Sequence, residues 1–306
     1  MTSHTDTTKT PWKVWWHLTR PHTLTAGFVP VFIGTAYALK DKQFNWLLFL
    51  AMMIAALLIQ MATNMFNEYY DYKRGLDTAE SVGIGGTIVR HGVQPATIMK
   101  IALTLYGIAL LLGIYICANT SWWILVIGLI SMLFGYLYTG GPFPIAYSPF
   151  GEIVAGTFMG YVIIAISYFV QAQQLTIDIL FISIAPSILI GNILTANNIR
   201  DLDNDKKAGR KTLSILIGKK LSIHMLAILF FIVYAWLVIM PFLNITPFAT
   251  WLALLAVPKS IEAIQSFHKG TSPIEMMPAM IATAKTNTIF GLLFAIGLTI
   301  DALIKF

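Results

Sequence analysis

Nine stretches of mostly apolar residues constrain this chain more than any motif in it: residues 24–39, 45–66, 95–117, 121–138, 152–171, 177–197, 222–242, 247–267 and 285–304. A helix needs about 20 apolar residues to cross hydrocarbon. The first stretch is short, and the eighth is interrupted by Pro258, Lys259 and Glu262. The expectation is an all-α membrane protein with nine transmembrane helices, built as one domain over residues 1–306. Only 11% of the residues are charged, against about 25% in an ordinary soluble domain, which excludes the soluble class.

Charge placement then sets orientation. With nine spans and a cytoplasmic N-terminus, every Lys and Arg falls inside except Lys40, Lys42 and Lys305; Lys285, at the start of the ninth stretch, counts as inside. So lopsided a split is what the positive-inside rule produces. The net charge of +6 therefore reports topology rather than nucleic acid, for which no basic face with interleaved aromatics exists. Residues 1–10 are polar and lack a secretory signal pattern. Trp12, Trp15 and Trp16 with Lys13 and Arg20 read as an interfacial helix, so residues 1–20 form a cytoplasmic or interfacial segment. The single cysteine, Cys117, rules out an intramolecular disulfide and a Cys-based zinc site.

Two polar clusters, residues 64–77 and 197–207, grow from the ends of the second and sixth stretches, on the cytoplasmic side of this topology. On a helix, Asn64, Asn67 and Asp71 share one face, as do Asn197, Asp201 and Asp205. Carboxylates and amides with basic residues interleaved suit Mg²⁺ bridging to a phosphate. The competing reading is a pair of solvated loop ends. Their matching positions, four spans apart, hint at an internal duplication. A loop with Gly83, Gly85, Gly86, Thr87 and Arg90 can offer amides and a guanidinium to an anion. Residues 136–152 bring Tyr136, Tyr138 and Tyr147 to a Gly-Gly-Pro turn, with Glu152 at a helix start. Lys206, Lys207, Arg210 and Lys211 form a basic run beside the second cluster, from which one or two members could reach a diphosphate.

These residues resemble the UbiA superfamily of intramembrane aromatic prenyltransferases, and within it the branch acting on 1,4-dihydroxy-2-naphthoate. The resemblance rests on Arg20-Pro21, Asn67 to Asp77, Gly85-Gly86, the Tyr138-Thr-Gly-Gly-Pro turn, Asn197-Asn198-Ile-Arg200-Asp201-Leu-Asp203-Asn-Asp205 and Thr212-Leu213. In the superfamily's first motif Glu68 replaces an Asp, and the last Asp falls late, at Asp77; the longer spacing favours the naphthoate branch over 4-hydroxybenzoate enzymes. Several relatives carry a Lys where this chain has Ala146.

The resemblance implies a helical bundle around a central cavity in a bacterial cell membrane, opening to the cytoplasm. It also implies Mg²⁺, a long polyprenyl diphosphate and a dihydroxynaphthoate that loses its carboxylate as CO₂, in menaquinone biosynthesis. It makes Asn67, Asp71, Asp201 and Asp205 the metal and catalytic core, with Asp77, Asn197 and Asp203 as further ligands. Lys73, Arg74, Arg200 and Lys207, then Arg90 and Lys211, are expected on the diphosphate, and Tyr138, Tyr147 and Glu152 on the acceptor ring. Other acceptors of the superfamily, 4-hydroxybenzoate first, are the nearest alternative. A cation-coupled transporter is the alternative from a different class, disfavoured because the acids lie at helix ends on one side rather than at mid-membrane.

Overall fold

The computed structural model describes residues 12–21, 23–41, 44–76 and 86–304, and among them every regular element is helical. In chain order these are α1 (Trp12–Leu18), α2 (Thr25–Ala38), α3 (Trp46–Lys73), α4 (Thr87–His91), α5 (Pro95–Asn119), α6 (Trp123–Leu137) and α7 (Gly151–Ala155). A π-helical stretch, Gly156–Val162, carries α7 into α8 (Ile163–Ala172). Then follow α9 (Ile177–Arg200), α10 (Leu202–Lys207), α11 (Leu213–Ile217), α12 (Lys219–Ile239), α13 (Val257–Lys269) and α14 (Met277–Ile304).

Six helical segments are long and apolar enough to cross a membrane by themselves: α3, α5, the continuous Gly151–Ala172, α9, Lys219–Leu243 and α14. The first and fourth expected spans are shorter helices, α2 with 14 residues and α6 with 15. The eighth, where Pro258 and two charges interrupt the pattern, is a 3₁₀ helix, Phe248–Ala256, leading into α13 with Pro258 in its first turn. Pro is tolerated there because that N–H has no helical partner. Outward-facing Leu111, Val126, Ile228 and Phe231 are exposed, the inverse of a soluble surface and what a lipid-facing belt requires.

Two boundaries move in a way that matters for the site. α3 runs on through Asn64, Asn67 and Asp71 to Lys73 instead of stopping near residue 66. It ends in a Schellman cap: Gly75 takes φ +70°, its N–H donates to the Tyr72 carbonyl at 3.0 Å, and Leu76 N–H donates to the Asp71 carbonyl at 2.9 Å. α14 begins at Met277, eight residues before the expected start at Lys285, with Pro278 as its second residue. Its early turns tolerate polar residues because Thr283 and Thr286 hydrogen-bond back to the Ala279 and Ala282 carbonyls, each at 2.9 Å.

The described residues pack into three buried clusters, of which one joins Leu48 and Ala51 of α3, Ile116 and Cys117 of α5, Ile124 of α6 and Ile166 and Val170 of α8, and the other two are larger. Ile33 and Tyr37 of α2, Ile164 and Tyr168 of α8, Leu189 of α9, Phe230 of α12, and Phe290 and Phe294 of α14 belong to one buried cluster. Val14 and Leu18 of α1, Phe66 of α3, Ile88 of α4 and Ile98 of α5 belong to another. Glycine sets the closest approach: a Cβ on Gly34 would lie 2.4 Å from the Ile164 carbonyl oxygen, so α2 reaches α8 only because that position has no side chain.

Candidate functional site

A cavity of about 760 Å³ lies among α2, α3, α5, α6, the Gly151–Ala172 helix, α9 and α14. On α3 its lining runs from Asp71 and Asn67 through Asn64 and Gln60 to Ala56 and Met52, about 28 Å along the axis at 1.5 Å per residue. Asp71, Asp201 and Asp205 mark one end. Ile116, Cys117 and Ile124 line the rest together with Gly113, Gly128 and Leu129, so the chamber is ionic at one end and oily along its length.

The ionic end is made by two helix ends built alike. α10 stops in the same cap as α3: Gly209 takes φ +78°, its N–H donates to the Lys206 carbonyl at 3.1 Å, and Arg210 N–H donates to the Asp205 carbonyl at 3.0 Å. Asp71 and Asp205 thus occupy the same position, four residues before a left-handed glycine. That pairing gives the suspected duplication a geometric form and aligns Asp71 with Asp205, and Asn67 with Asp201.

Arg210 ties the two ends together. One of its Nη atoms donates to Asp71 Oδ1 at 2.9 Å and the other to Asp205 Oδ1 at 3.0 Å, while its ring-facing side lies 5.2 Å from the centre of Tyr147. Arg74 lies 5.4 Å from the same ring and donates to the Thr139 and Gly141 carbonyls. Thr139 in turn donates to Asn67 Oδ1 at 2.7 Å. Arg200 forks onto its neighbour Asp201 at 2.7 and 2.5 Å. Burial pushes the Asp205 carboxyl up to about 6, with Asp201 adding to the rise and Arg210 opposing it.

The expected residues separate into those that reach the cavity and those that do not. Asn67, Asp71, Asn197, Arg200, Asp201, Asp205 and Tyr138 line it. Lys73, Arg90, Asp203, Lys207 and Lys211 are exposed and do not. Arg74 and Tyr147 stand behind the lining, in the contacts just described. Glu152 is also behind it, buried, its Oε1 accepting from cavity-lining Asn198 at 2.8 Å and its Oε2 without a partner. Asp77 and Gly85 fall outside the described residues.

Glu68, the departure from the family's Asp, turns away from the cavity. It is 1% exposed, accepts from the Gly86 and Ile88 amides at 3.2 Å each, and lies 3.5 Å from Arg20. The departure therefore fastens the glycine loop to α3, and the longer carboxylate has the reach to do so. Arg210 is the member of the basic run that arrives at the acids. The signal for it was the shared Asp-x-x-x-Gly spacing, which places the residue after the glycine beside its own Asp. Arg20 and Lys285 also line the cavity, and neither was expected to.

Among the described residues no three acids, histidines or cysteines converge closely enough to hold an ion by themselves, and Arg210 stands between Asp71 and Asp205. The donor set nonetheless fits Mg²⁺ in kind: Asp71, Asp201 and Asp205 with the amides of Asn67 and Asn197 present hard oxygens to one cavity. Mg²⁺ is commonly held by one or two carboxylates with substrate phosphates completing the shell. A carboxyl driven up by desolvation is one that gains from an added cation.

Comparison with known proteins gives concordant results. The profile of the UbiA prenyltransferase family matches residues 27–280. The chain is 53% identical to 1,4-dihydroxy-2-naphthoate octaprenyltransferase of Bacillus subtilis, over 94% of this chain and 93% of that one. It is 27% identical to the protein of the same name from Escherichia coli, over 94% and 95%. Among solved structures, the apo form of a UbiA homolog from Aeropyrum pernix superposes with a TM-score of 0.69 at 16% identity, covering 92% of this chain and 98% of that one. A UbiA homolog from Archaeoglobus fulgidus bound to DMAPP and Mg²⁺ gives 0.64 at 15%, covering 92% and 99%.

Proposed function

The chain belongs to the UbiA prenyltransferase family, and from that premise we propose that it transfers a polyprenyl group from polyprenyl diphosphate to 1,4-dihydroxy-2-naphthoate. The products are demethylmenaquinol, CO₂ and diphosphate, which places the enzyme in menaquinone biosynthesis. The observation that carries this reading is the 53% identity to the Bacillus subtilis enzyme over nearly the full length of both chains.

The ionic end suits a diphosphate leaving group. Asn67, Asp71, Asp201 and Asp205, with Asn197 beside them, would hold Mg²⁺, which when bound supplies positive charge to the diphosphate oxygens. Arg210 and Arg200 add guanidinium charge at the same end, where positive charge strengthens as the allylic C–O bond loosens. The apolar walls keep water from the allylic cation that forms. The electron-rich ring then attacks, with Tyr138 on the cavity wall as its first packing partner and Glu152 orienting the cavity-lining amide of Asn198 from behind. Lys73, Lys207, Lys211 and Arg90 form an outer basic rim that draws the diphosphate in. Arg210, beside Tyr147, takes the part of the Lys that some relatives carry at the Ala146 position.

The chain is a multi-pass membrane protein. In our reading it is one domain crossing the bilayer nine times, α2, α6 and the Phe248–Lys269 segment adding three crossings to the six long ones. The N-terminus and the ionic end face the cytoplasm. The test is a single incubation of purified protein in detergent with Mg²⁺, octaprenyl diphosphate and, in parallel, dihydroxynaphthoate or 4-hydroxybenzoate. Demethylmenaquinol or its quinone with released CO₂, abolished by EDTA, is the expected outcome. Product from 4-hydroxybenzoate with its carboxylate retained, and none from dihydroxynaphthoate, overturns the acceptor assignment.

A further inference from the structure

Lys285 is a charge in an unexpected place. It belongs to α14, a helix long and apolar enough to cross a membrane, and it lines the cavity together with Ile281, Ala284 and Thr288. Among the described residues it has no ion pair and no hydrogen bond, whereas Arg20, Arg74, Arg200 and Arg210 are each engaged by acids or carbonyls. An ionisable group inside a membrane-spanning helix is costly and calls for a partner. Among the described residues it finds none, and its side chain stays exposed on the cavity wall.

Its height in the chamber narrows what that partner is. Met277, at the start of α14, touches Arg200 through its sulfur at 3.4 Å, so this end of the helix lies beside the acids. Eight residues on, Lys285 is about 12 Å further along the helix axis. Gly291 packs on Val29 of α2, and α2 and α14 both lead away from the ionic end. Six residues back from that contact in each segment, Lys285 on α14 corresponds to Thr23 in the turn just before α2, which accepts from Asn64 Nδ2 at 2.9 Å and Gln60 Nε2 at 3.4 Å. The lysine is therefore below the diphosphate end, in the part of the chamber that a ring attacking the allylic carbon must enter.

We propose that Lys285 binds the carboxylate of the aromatic acceptor, making it the residue that selects an aromatic acid over an uncharged phenol. The acceptor's identity rests on the naphthoate reading above; its carboxylate does not, since 4-hydroxybenzoate carries one too. The contact is made to the bound acid and vanishes when CO₂ leaves, so it acts on acceptor binding rather than on turnover.

The test uses the full chain in detergent free of anionic lipid, as wild type, Lys285→Met and Lys285→Arg. Equilibrium binding is measured for 1-hydroxy-2-naphthoate, for 1-naphthol, which lacks the carboxylate, and for 4-hydroxybenzoate; Michaelis constants are measured for dihydroxynaphthoate and octaprenyl diphosphate. Loss of a charged hydrogen bond predicts roughly 10- to 100-fold weaker binding of the naphthoate by the Met variant. Naphthol binding and the diphosphate constant should stay within about twofold of wild type, with much of the affinity restored by Arg. The unchanged diphosphate constant also shows that the variant is folded. Equal weakening for naphthoate and naphthol, or a rise confined to the diphosphate constant, overturns the proposal. Wild type that binds only 4-hydroxybenzoate, in a Lys285-dependent way, supports the lysine's role while sinking the naphthoate reading.

Discussion

Arg210 shows how one side chain can serve two states of a site. Spanning Asp71 and Asp205 at 2.9 and 3.0 Å, it neutralises acids that burial would otherwise leave unpaired, and in the function proposed above the same guanidinium would meet an incoming diphosphate. Arg210→Met should lower kcat/KM by at least ~100-fold, about 2.7 kcal/mol of barrier. It should also lower the melting temperature of the Mg²⁺-free protein, because breaking a buried pair strands its partners. A variant as active as wild type would remove Arg210 from the site. Asp71→Ala and Asp201→Ala should each lose ~100-fold or more in prenyl transfer assayed in detergent, with insertion and yield unchanged. Lys207→Ala and Lys73→Ala, at exposed positions outside the cavity, should raise the Michaelis constant for prenyl diphosphate only a few-fold.

At the scale of elements, the two matched caps aim the acids. Gly75 and Gly209 both take positive φ with no atom within 4 Å of a built Cβ, so an added methyl meets only backbone strain. Gly75→Ala and Gly209→Ala should each destabilise their helix end by about 1 to 2 kcal/mol, read as a fall in melting temperature. Activity should fall further than stability, since the cap fixes where Asp71 or Asp205 points. The π-helical stretch has a related task. It interrupts a span whose Ala155, Phe158, Met159, Val162, Ile163 and Ile166 line the cavity, and the wider turn lets one helix keep a lining face across a shift of register.

For the whole molecule, the chamber's dimensions govern which substrates fit. Gly113 of α5 and Gly128 of α6 line it, and a Cβ on either meets nothing within 4 Å, so a large side chain there projects into open space. Gly128→Phe and Gly113→Leu should therefore cut activity with octaprenyl diphosphate far more than with geranyl diphosphate, in competition assays resolved by product mass. Equal effects on both lengths would mean that the tail does not pass these residues.

Periodicity and charge along the chain determined that it is helical and membrane-embedded, and which polar residues, Asn67 and Asp71 in one cluster and Asn197, Asp201 and Asp205 in the other, share a helix face, because helical spacing and hydropathy are local properties. The family was legible for the same reason, its motifs being short and contiguous. What required the tertiary structure is every assignment that depends on where a long side chain ends. Four cations of one basic run are alike in sequence, yet Arg210 alone among them lines the cavity, since the turn at Gly209 aims it back at Asp205. Glu68 stands where the family's motif has an Asp, and only the fold shows that it binds the Gly86 and Ile88 amides rather than lining the cavity. Lys285 marks the start of the ninth apolar stretch in the sequence, yet α14 starts two turns earlier, at Met277 beside Arg200, and carries the lysine onto the cavity wall, a boundary that hydropathy alone does not encode.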